Sequence, residues 1–343
     1  SGPCFFNSLP HARAADAMKS FSISKELALR TKPMELDTDR VPWNWTGCDC
    51  SAASPCFSRA RCDALVTHQR VPSVPLALRM PDTGGTRTMV RWMGTNEPFM
   101  VDAITSILRA TCPTSGAVFV DSGMNEGMWT LLGAHFACHP IGIEPQPQCI
   151  PPVLAALDHN GLGARVINAF LSPSPMTASI DTSAPCHGGF QPSASERAPR
   201  DVPSRHKWVE SLRLDELEEF RDPNTHIALW HLDVEGAEIP VLRSAAKLFS
   251  RRQVERVLFE VSLKRWGKFG IASKQAGLDE LRALFAGWTC TWACNGKPFP
   301  WRPIARRELY CAPPWNEHSD LGWGLFDVFC VAPGVNPMWN ATR

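Results

Sequence analysis

Apolar and polar positions change rhythm along this chain near residue 88. Before it, prolines, cysteines and short apolar stretches follow one another without a sustained period, and only Ser24–Arg30 has helical spacing. From about Glu97 the pattern becomes regular. Phe99–Arg109, Gly127–Ala137, Val153–Asn160, Glu238–Phe249 and Leu278–Leu284 carry apolar residues at three- and four-residue intervals, which predicts helices. Between them lie short, β-rich apolar runs: Ala117–Asp121, Ile141–Glu144, Ala164–Phe170, Ile227–Asp233 and Val257–Ser262, with Trp288–Trp292 and Leu325–Val331 as a closing pair. Strands alternating with helices predict an α/β fold with a parallel sheet. Residues 1–88 then form a cysteine-rich accessory region wrapped on a main domain of residues 89–343. The Ser-, Pro-, Ala- and Gly-rich stretch 172–206 is expected to be a long surface loop or insertion.

In an open parallel sheet, ligands bind beyond the C-terminal strand ends, so the chemistry is sought there. The first such end reads Val120-Asp121-Ser122-Gly123-Met124-Asn125-Glu126-Gly127. Its glycines allow a tight turn and close backbone approach, and the helix that follows offers free N–H groups. The spacing is not the G-x-G-x-x-G of a pyrophosphate site, and an acid before the first glycine would repel a pyrophosphate. That acid can attract a cationic group instead. Glu144 ends the second strand, where a carboxylate can accept both hydroxyls of a ribose. One acid at each of two strand ends suits a nucleoside whose far end carries an ammonium, and S-adenosylmethionine has those parts.

The fourth strand runs into His231-Leu232-Asp233-Val234-Glu235-Gly236-Ala237-Glu238-Ile239-Pro240-Val241-Leu242-Arg243. Together with VFVDSGMNEGMWTLL, IGIEPQP, SLRLDEL and VERVLFEVS in the same order, this segment resembles the FkbM family of S-adenosylmethionine-dependent O-methyltransferases. The likeness runs from about Glu97 to Ala332. It implies a class I, Rossmann-like methyltransferase fold: a seven-stranded, mostly parallel sheet with helices on both faces and the last strand antiparallel. By matching position, it implies that Asp121, Gly123, Asn125 and Gly127 cradle the methionine half of the cofactor. Glu144 would hold the ribose, Asn168 and Ala169 would border the adenine, and Glu97 could reach the amino group. Three positions depart from the usual family text: Met124, Ser244 and His231. Met124 could crowd the cofactor loop or point into the core.

Methyl transfer to a hydroxyl needs a group to take the proton, because a sugar hydroxyl is a poor acid. His231, Asp233, Glu235, Glu238 and Glu260 are the candidates, with Asp233 beside both the expected methyl donor and its acceptor. Glu238 also fits a helix-start acid favoured by the dipole, and Glu260 a buried structural acid. Asp233, Glu235 and Glu260 are the residues that would hold Mg²⁺ or Ca²⁺ if a divalent metal takes part. For the acceptor, Trp266, Trp301, Trp315 and Trp323, with His318, offer faces for sugar rings. Lys264, Arg265 and Lys268 could receive a phosphate or acid, or form a solvated basic edge.

Composition narrows the setting. Lys plus Arg number 35 against 34 Asp plus Glu, a net charge of +1, which argues against nucleic acid as a partner. No uninterrupted apolar run reaches about 18 residues, so no span of a membrane is expected. Of 13 cysteines, Cys48, Cys50, Cys56 and Cys62 cluster early, and Cys290, Cys294, Cys311 and Cys330 fall late. The early spacing lacks zinc knuckles, and the sequons at Asn44 and Asn340 favour disulfides in a secretory-pathway lumen, the Golgi in particular. Cys112, Cys138 and Cys149 are expected to be small buried apolar residues. The N-terminus lacks the charged-then-apolar order of a signal peptide and reads as a cut end, so a signal or membrane anchor is expected upstream. The expected function is O-methylation of a glycan sugar hydroxyl; the alternatives are methylation of a small metabolite or lipid, or a non-catalytic carbohydrate-binding protein on the same fold.

Overall fold

The computed structural model describes residues 66–70, 77–81, 90, 98–115, 117–183, 186, 193–195, 205–302 and 325–338. The chain divides into two compact units, Ser1–Gly47 and Cys48–Arg343, and every described residue belongs to the second. Glu97, the early cysteine cluster, both sequons, Cys311, Trp315, His318 and Trp323 lie outside the described residues.

The central sheet has seven strands in the order β12-β13-β11-β10-β3-β4-β5. Its strands are β3 (Val118–Ser122), β4 (His139–Ile143), β5 (Arg165–Ile167), β10 (Ile227–Leu232), β11 (Arg256–Ser262), β12 (Thr289–Trp292) and β13 (Leu325–Val331). The run from β11 to β5 is parallel, and β13 is antiparallel to both of its neighbours, which is the mostly parallel arrangement expected. β10 is buried along its whole length, as a central parallel strand covered on both faces must be. Its side chains alternate between two cores: Trp230 packs with Leu242, Leu248 and Leu278 on one face, and Leu229 with Ile104, Leu131 and Val153 on the other. Helices α1 (Pro98–Ser115), α2 (Met128–His135) and α3 (Ile150–Asn160) supply the second set. Helices α4 (Glu238–Arg243), α5 (Ala246–Ser250) and α6 (Lys274–Leu284) supply the first.

The single helix expected over Glu238–Phe249 is two helices. Ser244, fully buried, turns its hydroxyl back to Val241 O at 2.6 Å, and its own carbonyl accepts from Asp215 N at 3.2 Å, so the chain bends there. The run Ala164–Phe170 is also split. β5 stays in the main sheet, while β6 (Phe170–Leu171) pairs with β9 (His206–Leu212) in a second sheet of order β6-β9-β7-β8. β7 (Thr177–Asp181) and β8 (Ser193–Ser195) complete it, so the stretch 172–206 carries strands where a long loop was expected. β1 (Val66–Arg70) and β2 (Ala77–Pro81) form a hairpin, with β2 lying against α3.

Cys112, Cys138 and Cys149 are buried, but they are not merely apolar filler. Cys112 is bonded to Cys138, Cys149 to Cys186, and Cys290 to Cys330; Cys294 is disulfide-bonded as well. Cys290 and Cys330 face each other in register on β12 and β13, the adjacency a bridge needs.

Candidate active site

The loop leaving β3 is shaped by left-handed residues at three alternate positions, Gly123 (φ 78°), Asn125 (φ 51°) and Gly127 (φ 75°). At Gly123 a side chain would overlap the carbonyl oxygen of Asp233, so the β3 and β10 strand ends can meet only at a glycine. Asparagine is among the few other residues that tolerate this region. Gly123 N and Met124 N both donate to Ile143 O, at 2.9 and 3.1 Å, which ties the loop to the end of β4. Met124 points into the core: it is buried beside Thr130 and over Gly142, where any side chain would strike its sulfur. It does not crowd the loop.

Glu144 follows β4 and is buried. Its Oε2 accepts from Asn125 N at 2.8 Å, and its Oε1 accepts from Gln146 N at 2.9 Å and Gln146 Nε2 at 3.1 Å. Burial nonetheless pushes its pKa up to about 7, against the pull of those three donors. Each carboxylate oxygen has more than one lone pair, so hydroxyl donors of a ligand can still be accepted. Asn168 closes this corner by donating from Nδ2 to Glu144 O at 2.8 Å and Pro145 O at 3.0 Å, with Ala169 buried behind it.

Asp121, with no exposed surface, spends its two oxygens on different partners. Oδ2 accepts from Thr130 Oγ1 at 2.7 Å, and Oδ1 lies 2.9 Å from His231 Nδ1. The Trp129 ring tilts against His231 with centroids 5.6 Å apart. Asp233 follows β10, and its backbone N donates to Ser122 O at 3.0 Å. Asp233 is exposed at the end of β10, yet protein crowds round its carboxyl group. That crowding strips hydration and raises its pKa; His231 pulls it back down, Asp121 raises it further and Arg265 lowers it. Glu260, on β11, is raised well above the usual carboxylate range by burial and by Asp233 and Asp327, although Ser262 Oγ donates to it at 2.8 Å.

The remaining candidates have other partners. Glu235, left-handed at φ 55°, forms an ion pair with Arg265, and Gly236 leaves room for the Arg265 backbone and side chain. Glu238 is fully buried: Oε1 accepts from Gly236 N at 2.8 Å and Oε2 from Trp266 Nε1 at 2.6 Å. Burial pushes its pKa up to about 7. Trp266 is 1% exposed and therefore offers no face to a sugar; it locks the 235–237 turn through Glu238 and packs on Gly277. Trp301 stacks on Phe285 and meets Phe299 edge to face. Among the described residues, no group of three or more His, Cys, Asp or Glu side chains converges as a metal site. Thr130, Gln146, Asp327 and Cys186 were not singled out from the sequence. Only Asp327, an acid inside an apolar strand opposite Glu260, carried a signal that could have been read.

Residues 121–289 match the family model described as the methyltransferase FkbM domain. Among solved structures, the chain is similar to the bifunctional kinase-methyltransferase WbdD, with 15% identity and a TM-score of 0.38, over 71% of this chain and 41% of that one. It is similar to an rRNA methylase from Streptococcus thermophilus, with 12% identity and a TM-score of 0.32, over 68% of this chain and 96% of that one. A T. thermophilus 16S rRNA methyltransferase in complex with AdoMet and guanosine has 10% identity and a TM-score of 0.36, over 78% of this chain and 50% of that one. The chain thus spans less than half the length of WbdD. No curated protein sequence matches it.

Proposed function

Because the chain carries a methyltransferase FkbM domain over residues 121–289, we propose that it moves a methyl group from S-adenosylmethionine to a sugar hydroxyl of a glycan in the secretory-pathway lumen, the Golgi in particular. One observation carries this reading. The Gly123–Gly127 loop is bracketed by Asp121 and Glu144 at adjacent strand ends, and Gly123 abuts Asp233, so an acid stands beside the cofactor cradle. The lumenal setting draws support from the disulfides, among them Cys112–Cys138, Cys149–Cys186 and Cys290–Cys330, which persist in oxidising compartments.

The residues fit the cofactor. Glu144 is a buried carboxylate with spare lone pairs for ribose hydroxyls, and Asn125 and Gly127 hold the left-handed turn beside it. When bound, S-adenosylmethionine supplies an electrophilic methyl on a sulfonium. Asp233 would accept the proton of the acceptor hydroxyl, whose oxygen would gain the methyl group as its bond to sulfur breaks, leaving S-adenosylhomocysteine. The raised pKa of Asp233 makes it a stronger base than an ordinary aspartate, while the Arg265 guanidinium nearby favours its ionised form. Glu238 and Trp266 hold the turn that follows Asp233, and so fix its direction.

The test has two arms. S-adenosylhomocysteine should bind in titration calorimetry and raise thermal stability; tight NAD binding with none for S-adenosylhomocysteine refutes the cofactor. Mass spectrometry of glycans, lipids and small metabolites incubated with protein and S-adenosylmethionine should then show a 14-Da-class mass gain, about one methylene, on the glycans. Modification of lipids or small metabolites alone replaces the acceptor class. Cofactor binding with no product from any of them leaves a carbohydrate-binding protein.

A further inference from the structure

Cys149 lies five positions beyond Glu144, at the end of the short 3₁₀ turn Pro147–Cys149, and is buried. Its partner Cys186 belongs to the stretch between β7 and β8, outside the main sheet. Cys186 is 7% exposed, and its Sγ lies 3.0 Å from Asn125 Oδ1, on the left-handed loop between Gly123 and Gly127. Asn125 in turn donates its backbone N–H to Glu144 Oε2, and Gln146 binds Glu144 Oε1 from the other side. Cys149 N donates to Gln146 O at 3.1 Å, so Glu144, Asn125, Cys186, Cys149 and Gln146 close one ring of contacts.

We propose that Cys186, in the insertion between β7 and β8, is a wall of the cofactor site, fastened there by Cys149–Cys186, and that this bridge sets how tightly and how long the cofactor is held. The proposal rests on the cofactor reading given above. The physical reason is preorganisation: a covalent strap against Asn125 removes freedom of the left-handed loop that binding would otherwise have to quench. Cys112–Cys138 and Cys290–Cys330 serve as internal controls. Cys138 precedes the first residue of β4, and Cys330 pairs in register with Val257 near the start of β11, so both bridges sit at the strand ends opposite the site.

The experiment compares the wild-type chain with a Cys149→Ala/Cys186→Ala double variant and a Cys112→Ala/Cys138→Ala control. S-adenosylhomocysteine affinity is read by calorimetry, its release by stopped flow, and folding by thermal melts. The first variant should bind on the order of tenfold more weakly with faster release, while the control loses thermal stability and keeps wild-type affinity. Wild-type affinity in a folded Cys149→Ala/Cys186→Ala variant overturns the wall. A wild-type chain that fails to bind S-adenosylhomocysteine overturns the cofactor reading instead. Should the first variant not fold, hydrogen exchange on the wild type decides. Added S-adenosylhomocysteine should protect the peptide containing Cys186 along with residues 123–127, and protection of 123–127 alone overturns the proposal.

Discussion

Asp121 and His231 face each other in register on the adjacent parallel strands β3 and β10, with Oδ1 and Nδ1 2.9 Å apart. A carboxylate can only accept, and the other oxygen of Asp121 already accepts from Thr130, so the hydrogen of this pair sits on Nδ1. The ring is thereby held in one tautomer and one orientation. An asparagine at 121 offers one acceptor and one donor, which forces either Thr130 or His231 to reverse its role. Asp121→Asn should therefore fold with a somewhat lowered melting temperature and lose turnover by on the order of 10²-fold, because the ring beside the proton acceptor Asp233 loses its orientation. Turnover and melting temperature measured together check this, and near-native turnover refutes the orienting role.

Asp233 is assigned the proton-accepting role, and Asp233→Asn isolates it. The variant should keep its fold and most of its affinity for S-adenosylhomocysteine, while turnover falls by on the order of 10²-fold. Because crowding raises the Asp233 pKa, the acid limb of the wild-type pH–rate profile should lie above the usual carboxylate range, with activity lost as pH falls through it. Dialysis against EDTA should leave turnover unchanged; loss restored by Mg²⁺ or Ca²⁺ would return a metal to the mechanism. Should Asp233→Asn turn over normally while His231→Ala does not, the base is the histidine.

Glu144 should make cofactor affinity depend on pH. Its pKa of about 7 in the unliganded protein means that ribose hydroxyls, which favour the ionised form, must displace a proton at lower pH. Calorimetry should show S-adenosylhomocysteine binding weakening as pH drops below about 7, approaching tenfold per pH unit. The stability effect has the opposite sign. Folded Glu144 and Glu238 hold protons that the unfolded chain releases between pH 4.5 and about 7, so this contribution to stability grows as pH falls through that window. Glu144→Gln should flatten the dependence of affinity on pH, and an unchanged profile in that variant refutes the assignment.

Trp266 is a structural member of the site, and Trp266→Phe tests that. The substitution leaves Glu238 Oε2 buried without its donor, at a cost of about 1–3 kcal/mol. The melting temperature should fall, and acceptor affinity should not change. A selective rise in acceptor KM with an unchanged melting temperature would restore the sugar-stacking role.

The sequence by itself determined the alternation of strands and helices and the acids at the strand ends. Leu325–Val331 and the start of β10 at Ile227 were legible to the residue, because side-chain periodicity is local: it records which face of an element is buried. It also put Asp121 and Glu144 beside a glycine loop, since both signals lie within a few residues of one another. Partner choice was decided elsewhere. The 110 residues between Asp121 and His231, and the 37 between Cys149 and Cys186, are closed only by sheet order and by the fold of the insertion. Periodicity says that Trp266 is near a strand end and that Glu238 starts a helix. That the two bury each other, while Asp233 stays exposed, follows from how α4 packs over β11. Likewise a polar, proline-rich composition reads as loop, yet β7 and β9 pair across it because backbone hydrogen bonds do not depend on side-chain pattern.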